Sequence, residues 1–100
     1  MSGLPEKSAF FENLSSCFLV HTEEGKPIEL ELVELKEGSS NSRVEQFALV
    51  FRGSNRLVLP QQIYQLLHDR LGEFELFLVP LGRDAHGSYY EAVFNRFIQN

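Results

Sequence analysis

Short apolar segments recur along the whole chain, about every 10–15 residues. The breaks between them are rich in glycine, proline, serine and asparagine, which are typical of turns. Parallel strands need a crossover of a dozen or more residues, whereas antiparallel strands need only a tight turn. The spacing therefore predicts a mainly β fold, a small antiparallel β-barrel or sandwich of about six strands.

The apolar runs indicate where these strands lie. A break in the alternation at Leu32 and Val33 predicts a β-bulge. Residues 61–68 fit a helical stripe as well as a strand, but Pro60 and Gly72 bound them tightly and favour a strand. If residues 61–70 are helical, the fold is instead α+β. The predicted strands cover residues 17–20, 28–35, 44–51, 61–68, 74–79 and 89–98.

One short helix is predicted before the first strand. Ser8 is a suitable N-cap, and Phe10, Phe11 and Leu14 form a narrow apolar stripe. The length of 100 residues supports one domain, residues 1–100, in which residues 1–7 are a frayed lead-in.

Three predicted strands are apolar on both faces. A sheet with one solvated face does not carry the second apolar set. This second set is therefore expected to be covered by the N-terminal helix, by another sheet layer or by another subunit. The first set comprises Phe47, Leu49, Phe51, Phe74, Leu76, Leu78, Ala92 and Phe94, and the second comprises Ala48, Val50, Phe77, Val79, Val93 and Phe97.

The charge pattern argues against nucleic acid as a partner. The formal net charge is −5, and no run of basic residues could neutralise phosphates. All three lysines lie within residues 1–37 and all six arginines within residues 38–100. Because arginine binds carboxylates bidentately and stacks on aromatic rings, the second part is the better candidate for a contact surface.

The lone cysteine and the N-terminal residues predict a cytoplasmic protein. Cys17 has no partner for an internal disulfide, and we expect a buried structural thiol. Residues 1–7 lack a basic segment followed by an apolar one, so no signal peptide is expected. No apolar run approaches the roughly 20 residues that span a bilayer, so no membrane association is predicted.

No motif indicates catalysis, a cofactor or a metal. The three histidines have no spacing that would bring metal ligands together. The tripeptide His68-Asp69-Arg70 matches part of a kinase catalytic loop, but a chain of this length cannot hold the kinase fold. Residues 82–87 contain two glycines without a following Lys-Ser/Thr, which predicts a hairpin loop rather than a phosphate loop. We expect the protein not to be an enzyme.

Tyrosines and arginines are the best candidates for recognition, because both are enriched at interface hot spots. Packing in the core or at its rim is the competing interpretation. Tyr89 and Tyr90 point to opposite faces of a strand, so at most one of them belongs to the core of a one-sided sheet. The candidate partner contacts are Arg52, Arg56, Tyr64, Tyr89, Tyr90 and Arg96.

With the residues between LVLPQ at 57–61 and YEAVFNR at 90–96, the chain resembles a small bacterial domain family of unknown function. The resemblance covers roughly residues 15–97 and is most specific between residues 57 and 96. It implies no activity, cofactor or catalytic residue, and it implies an accessory role beside a larger, tail-fibre-like protein. The matching residues are LVLPQ at 57–61, Tyr64, His68, LG at 71–72, LFLVP at 76–80, Gly82, Gly87 and YEAVFNR at 90–96.

Two hypotheses on function follow from these patterns. The first is a non-enzymatic protein-interaction or assembly module that binds a protein partner or its own copies. The alternative is a small-ligand-binding β-barrel or an unrecognised enzyme, since a closed barrel can hold one ligand in its mouth.

If the candidate contacts bind a partner, Arg56→Glu and Tyr90→Ala should weaken its capture. The free energy of unfolding should fall by less than about 1 kcal/mol, as for surface substitutions. Partner capture and urea unfolding measure the two effects. A much larger loss of stability would show that the residue is structural.

Overall fold

Six antiparallel strands close into one barrel. The computed structural model describes residues 4–23, 25–41 and 43–97. The elements are α1 (Lys7–Glu12), β1 (Cys17–Val20), β2 (Ile28–Glu37), β3 (Val44–Gly53), β4 (Gln62–His68), β5 (Gly72–Asp84) and β6 (Gly87–Phe97). Around the barrel the strands follow the order β1-β2-β3-β6-β5-β4, and β4 pairs with β1 to close it.

The predicted mainly β fold is confirmed, and the sheet is a barrel rather than a sandwich. Residues 62–68 form a strand that pairs with both β1 and β5, so the α+β alternative is wrong. The predicted bulge is confirmed, because the register of β2 on β3 shifts between Leu32 and Glu34. The last predicted strand also holds up to Phe97, while Ile98 lies outside the described residues.

Two local predictions are wrong. Strand β5 does not stop at Pro80 but continues to Asp84, because Pro80 lies where the register on β6 shifts. A proline is tolerated in a strand at such an irregularity, where a ladder N–H is not required. The helix begins two residues earlier than expected, with Glu6 rather than Ser8 at the N-cap.

Alternate side chains of every strand fill the barrel. On β4, the inward residues Tyr64 and Leu66 are buried. On β5, their register partners Leu76 and Phe74 are buried in the same way. A barrel of this size has room for its own side chains. The core cluster consists of Phe10, Phe18, Val20, Leu30, Leu32, Phe47, Leu49, Phe51, Leu59, Tyr64, Leu66, Phe74, Leu76, Leu78, Tyr90, Ala92 and Phe94.

Helix α1 seals the end at which β3 begins, which we call the helix end. Its residue Phe10 is fully buried. The Phe10 ring lies 6.4 Å from the Phe47 ring, 5.8 Å from the Phe74 ring and 5.5 Å from the Phe94 ring, between centroids. Phe47 and Phe94 stack on each other at 4.5 Å. One helical side chain thus joins three strands.

Residues 54–61, the lid segment, cross the opposite end, which we call the hairpin end. Leu59 is buried there, and its N–H donates to the hydroxyl of Tyr90 at 2.9 Å. The Tyr64 hydroxyl donates to the carbonyl oxygen of Pro60 at 2.6 Å. Two buried tyrosines of the barrel therefore hold the lid segment in place through their hydroxyls.

Phe10→Ala should lower the free energy of unfolding by about 3–5 kcal/mol, because it leaves an aromatic-sized cavity at the helix end. Urea unfolding followed by circular dichroism measures this loss. Phe11→Ala is the matched control on the same helix, since Phe11 is 62% exposed. The control should change stability by less than about 0.5 kcal/mol. Equal losses for the two variants would contradict the sealing role of Phe10.

Candidate functional site

The structure separates the six predicted contact residues into three groups. Arg52, Arg56 and Tyr89 lie at the surface of the hairpin end, where Arg52 and Tyr89 are register partners. Tyr64 and Tyr90 are buried beneath them. Arg96 belongs to the opposite end of the barrel. The sequence therefore identified one shared surface for three of the six.

Arg52 and Tyr89 form a small polar network at the hairpin end. The Arg52 guanidinium donates to Glu31 Oε1 at 2.6 Å, and this bond raises the pKa of Arg52 above its usual range. The Tyr89 hydroxyl donates to Asp84 Oδ1 at 3.4 Å. A Cβ on Gly87 would overlap the carbonyl oxygen of Gly53, so the hairpin packs directly on the end of β3.

Asp84 holds the β5–β6 turn in place. Its Oδ1 accepts the backbone N–H of His86 at 2.7 Å and that of Gly87 at 3.2 Å. These bonds, the one from His86 first, lower the pKa of the Asp84 carboxyl. Arg83 donates from the same hairpin to the carbonyl oxygen of Asn55 at 3.1 Å. The turn and the lid segment, which carries Arg56, are thus tied together.

Tyr64 and Tyr90 are structural residues in this fold. Both are buried, and their hydroxyls bond to the lid segment as described above. For these two residues, packing in the core is the correct interpretation. The small loss in the free energy of unfolding that was expected for Tyr90→Ala as a surface substitution therefore does not apply. The prediction that at most one of Tyr89 and Tyr90 belongs to the core agrees with the structure, in which Tyr90 lies inside and Tyr89 is half-buried.

Arg96 packs at the helix end. Its guanidinium carbon lies 5.4 Å from the centroid of the Phe47 ring and 5.3 Å from that of the Phe94 ring. It also donates to Glu45 Oε1 at 3.3 Å and to the carbonyl oxygen of Pro5 at 3.2 Å. Arg96 therefore covers the aromatic cluster and holds the residues that precede α1.

The outer face of the barrel carries an apolar patch, which is made by Ile63 together with three members of the second apolar set, whereas Val50 of that set is buried. Neither α1 nor a second layer covers it within the described residues, because α1 lies at the end of the barrel. Ile63 and Phe77 are register partners, and Val93 faces the half-buried Ala48. We call Ile63 (62% exposed), Phe77 (49%), Val93 (69%) and Phe97 (82%) the outer patch.

An opening between β5 and β6 crosses the outer patch. The two strands are paired between the Val79–Glu91 pair and the hairpin. Towards the helix end, beyond that pair, the strands separate and a surface groove lies between them. Its walls include Leu4, Glu75, Phe77, Val93 and Arg96. The groove thus interrupts the sheet beneath the exposed aromatic and aliphatic side chains.

The patch was only partly visible in the sequence. Phe77, Val93 and Phe97 belong to the second apolar set that the alternation revealed. Ile63 was missed because its segment fits a helix as well as a strand, and so its face was undefined. Periodicity along one strand shows that a face is apolar. It does not show whether another layer covers that face, and this decides whether the side chains are exposed.

One hydroxyl–imidazole pair occurs at the helix end, between Ser16 and His68. The distance from Ser16 Oγ to His68 Nε2 is 2.8 Å. However, His68 Nδ1 accepts the backbone N–H groups of Arg70 at 3.0 Å and Leu71 at 3.2 Å. The ring hydrogen must therefore lie on Nε2, which donates to the hydroxyl. An imidazole in this tautomer cannot take the serine proton, so the pair is not an activated nucleophile.

Cys17 is exposed on β1, so the prediction of a buried thiol is wrong. The cause is the register, which places Phe18 rather than Cys17 inside the barrel. Partial desolvation and then the Glu29 carboxylate raise the pKa of the thiol, which keeps it weakly nucleophilic. Among the described residues, no three metal-binding side chains converge. No helix in the same part of the chain is long and apolar enough to cross a membrane.

Together these features define a small all-β domain, an antiparallel barrel with a helical cap, a polar hairpin end and an apolar outer patch. Residues 5–94 match the model of a domain of unknown function, DUF6916, and the chain belongs to this family. The expected relation to a family of unknown function is thereby confirmed. The curated proteins and the solved structures include no match to this chain.

Tyr90→Phe should lower the free energy of unfolding by about 1–3 kcal/mol, because the N–H of Leu59 then loses its partner in a buried site. Tyr89→Phe removes a longer bond at the surface and should cost less than about 0.5 kcal/mol. Urea unfolding of both variants checks the difference. If Tyr90→Phe is as stable as the natural chain, the hydroxyl does not fix the lid segment.

Proposed function

We propose that the domain is a non-enzymatic protein-interaction module that assembles with a larger protein or with copies of itself. The outer patch is the observation that carries this proposal. Large apolar side chains that are contiguous on the surface of a small domain are characteristic of interaction sites. In this chain they lie outside a barrel whose interior is already filled by other side chains.

The energetics of the outer patch support association. Burying one large apolar side chain contributes roughly 1.5–3 kcal/mol. Val93 and Phe97 expose most of their surface, and Ile63 and Phe77 about half or more. A partner that covers these four residues therefore gains enough to offset part of the cost of association, which is several kcal/mol.

The hairpin end supplies the polar contacts in this proposal. Arg56 is exposed on the lid segment, and Arg52 and Tyr89 remain partly exposed despite their bonds. Polar and charged groups around an apolar contact set orientation and the rate of association more than affinity. We assign Arg56 the role of a polar contact with the partner, as the sequence predicts.

The proposed setting is the cytoplasm of a bacterium, with the domain as an accessory protein of a larger, tail-fibre-like protein. The resemblance described above supports this partner, and a lone exposed cysteine suits a reducing compartment. A net charge of −5 supports a protein partner rather than nucleic acid.

A photo-crosslinking amino acid tests the proposal directly. Benzoylphenylalanine in place of Phe77 should yield a defined crosslinked product in cells of the natural host, because that side chain then lies in an interface. The same amino acid in place of Phe11 is the matched control, since Phe11 is also an exposed phenylalanine but lies on α1 rather than on a strand of the outer patch. Mass spectrometry identifies the product.

A product with the mass of two chains would show self-assembly, and a larger one would identify a partner. Either product, formed from position 77 and not from position 11, supports the proposal. Equal labelling at both positions, or none at position 77, would refute the outer patch as an interface.

A further inference from the structure

His68 joins two segments that lie far apart in the chain. It ends β4 and is buried at the helix end, where its ring centroid lies 4.4 Å from that of Phe18. Its Nε2–H donates to Ser16 Oγ, and the Ser16 hydroxyl donates to the carbonyl oxygen of Asn13. A continuous chain of hydrogen bonds therefore runs from the imidazole to the connection between α1 and β1.

The other side of the ring organises the turn between β4 and β5. Nδ1 accepts two backbone N–H groups, those of Arg70 and Leu71. The Arg70 guanidinium then reaches back to Asn13 Oδ1 at 2.7 Å. Asn13 is itself buried, and its amide donates to the carbonyl oxygen of Ala9 in α1. The turn and the helix thus hold each other through this cluster.

Only the neutral imidazole fits this arrangement. A proton on Nδ1 would point at two N–H groups, and neither could then donate to the ring. The charged groups nearest His68 are Arg70 and Asp69, both in the β4–β5 turn, and Cys17 next to Phe18 is exposed. Burial and then Arg70 lower the pKa of His68, and Asp69 acts in the opposite direction with a smaller effect.

We infer that His68 is an acid-released latch that holds the β4–β5 turn against the α1–β1 connection and so keeps the helix end of the barrel closed. Above the pKa of a free histidine, about 6.5, the imidazole is neutral in both states and the latch is fully stabilising. As the pH falls below that value, protonation favours the open state, in which the ring reaches water. The stabilisation by the latch is lost progressively as the pH falls towards the lower pKa that His68 has in the closed state.

Amide hydrogen exchange across a pH series measures the opening. After correction for the intrinsic pH dependence, the opening constant for the amides of Ser16, Arg70 and Leu71 should rise by up to about tenfold between pH 7.5 and pH 5.5. This upper limit applies when the closed imidazole stays neutral, because a released imidazole is about ten times more often protonated than neutral at pH 5.5. Amides in the centre of β3 and β6, such as that of Leu49, should rise less.

His68→Asn is the informative variant. Its Oδ1 can accept the same two backbone N–H groups as Nδ1 does, but it does not titrate. The rise in the opening constant should therefore disappear. His86→Asn is the matched control at an exposed histidine and should behave like the natural chain. An unchanged opening constant in the natural chain, or the same rise in His68→Asn, would overturn the inference.

Nitrogen-detected NMR of the imidazole keeps the inference testable if His68→Asn does not fold. At pH 7.5 the natural chain should show an unprotonated Nδ1 and a protonated Nε2. The amide signals of Arg70 and Leu71 should then shift with the same midpoint as the ring. A proton on Nδ1 at neutral pH would overturn the inference, as would ring titration that leaves both amide signals unmoved.

Discussion

A narrow barrel must have its two ends sealed as well as its interior filled. Strand side chains fill the middle, but the last layer at each end faces water unless another segment covers it. Phe10 closes one end by packing its ring against Phe47, Phe74 and Phe94. Leu59 closes the other, held by Tyr90. The closed core depends on these two seals, because neither end layer is protected by the sheet itself.

The two seals differ in chemistry. The helix end combines an aromatic cluster with buried polar groups, in which Asn13, Ser16 and His68 each have a defined partner. Such networks are stable only when every member is satisfied, so this end responds to a single proton. At the hairpin end, tyrosine hydroxyls hold the lid segment and the Asp84 carboxylate, whose pKa is lowered, holds the turn. Mild acid therefore acts first on the helix end.

Much of the fold could be predicted from the sequence. The alternation of apolar residues located the strands, and the phase break at Leu32 and Val33 located the bulge that the register confirms. Periodicity along one strand does not reveal which strands are neighbours, so barrel closure between β1 and β4 could not be derived. The extension of β5 beyond Pro80 was missed because the strand tolerates this proline only where the register on β6 shifts. The position of such a shift depends on the partner strand.

The surface was less predictable than the core. Tyr64 and Tyr90 have the composition of interface residues, yet their rings face inward and their hydroxyls bond to residues 57–60. Arg96 is occupied by Glu45 and two phenylalanine rings. The outer patch was recognisable only as an excess of apolar residues on three strands. Exposure depends on what lies above a face, which is a property of the assembled fold.

The bond from Arg96 to Pro5 has a consequence for how this barrel can be linked to other polypeptides. It places the beginning and the end of the described chain side by side at the helix end. A fusion on either side, or a loop that inserted this domain into a host protein, would therefore attach at the same point. The helix end would then face the attached protein, and the hairpin end would point away from it. The outer patch would lie along the side of the barrel. A short linker between the two ends would likewise permit circular permutation without crossing the barrel.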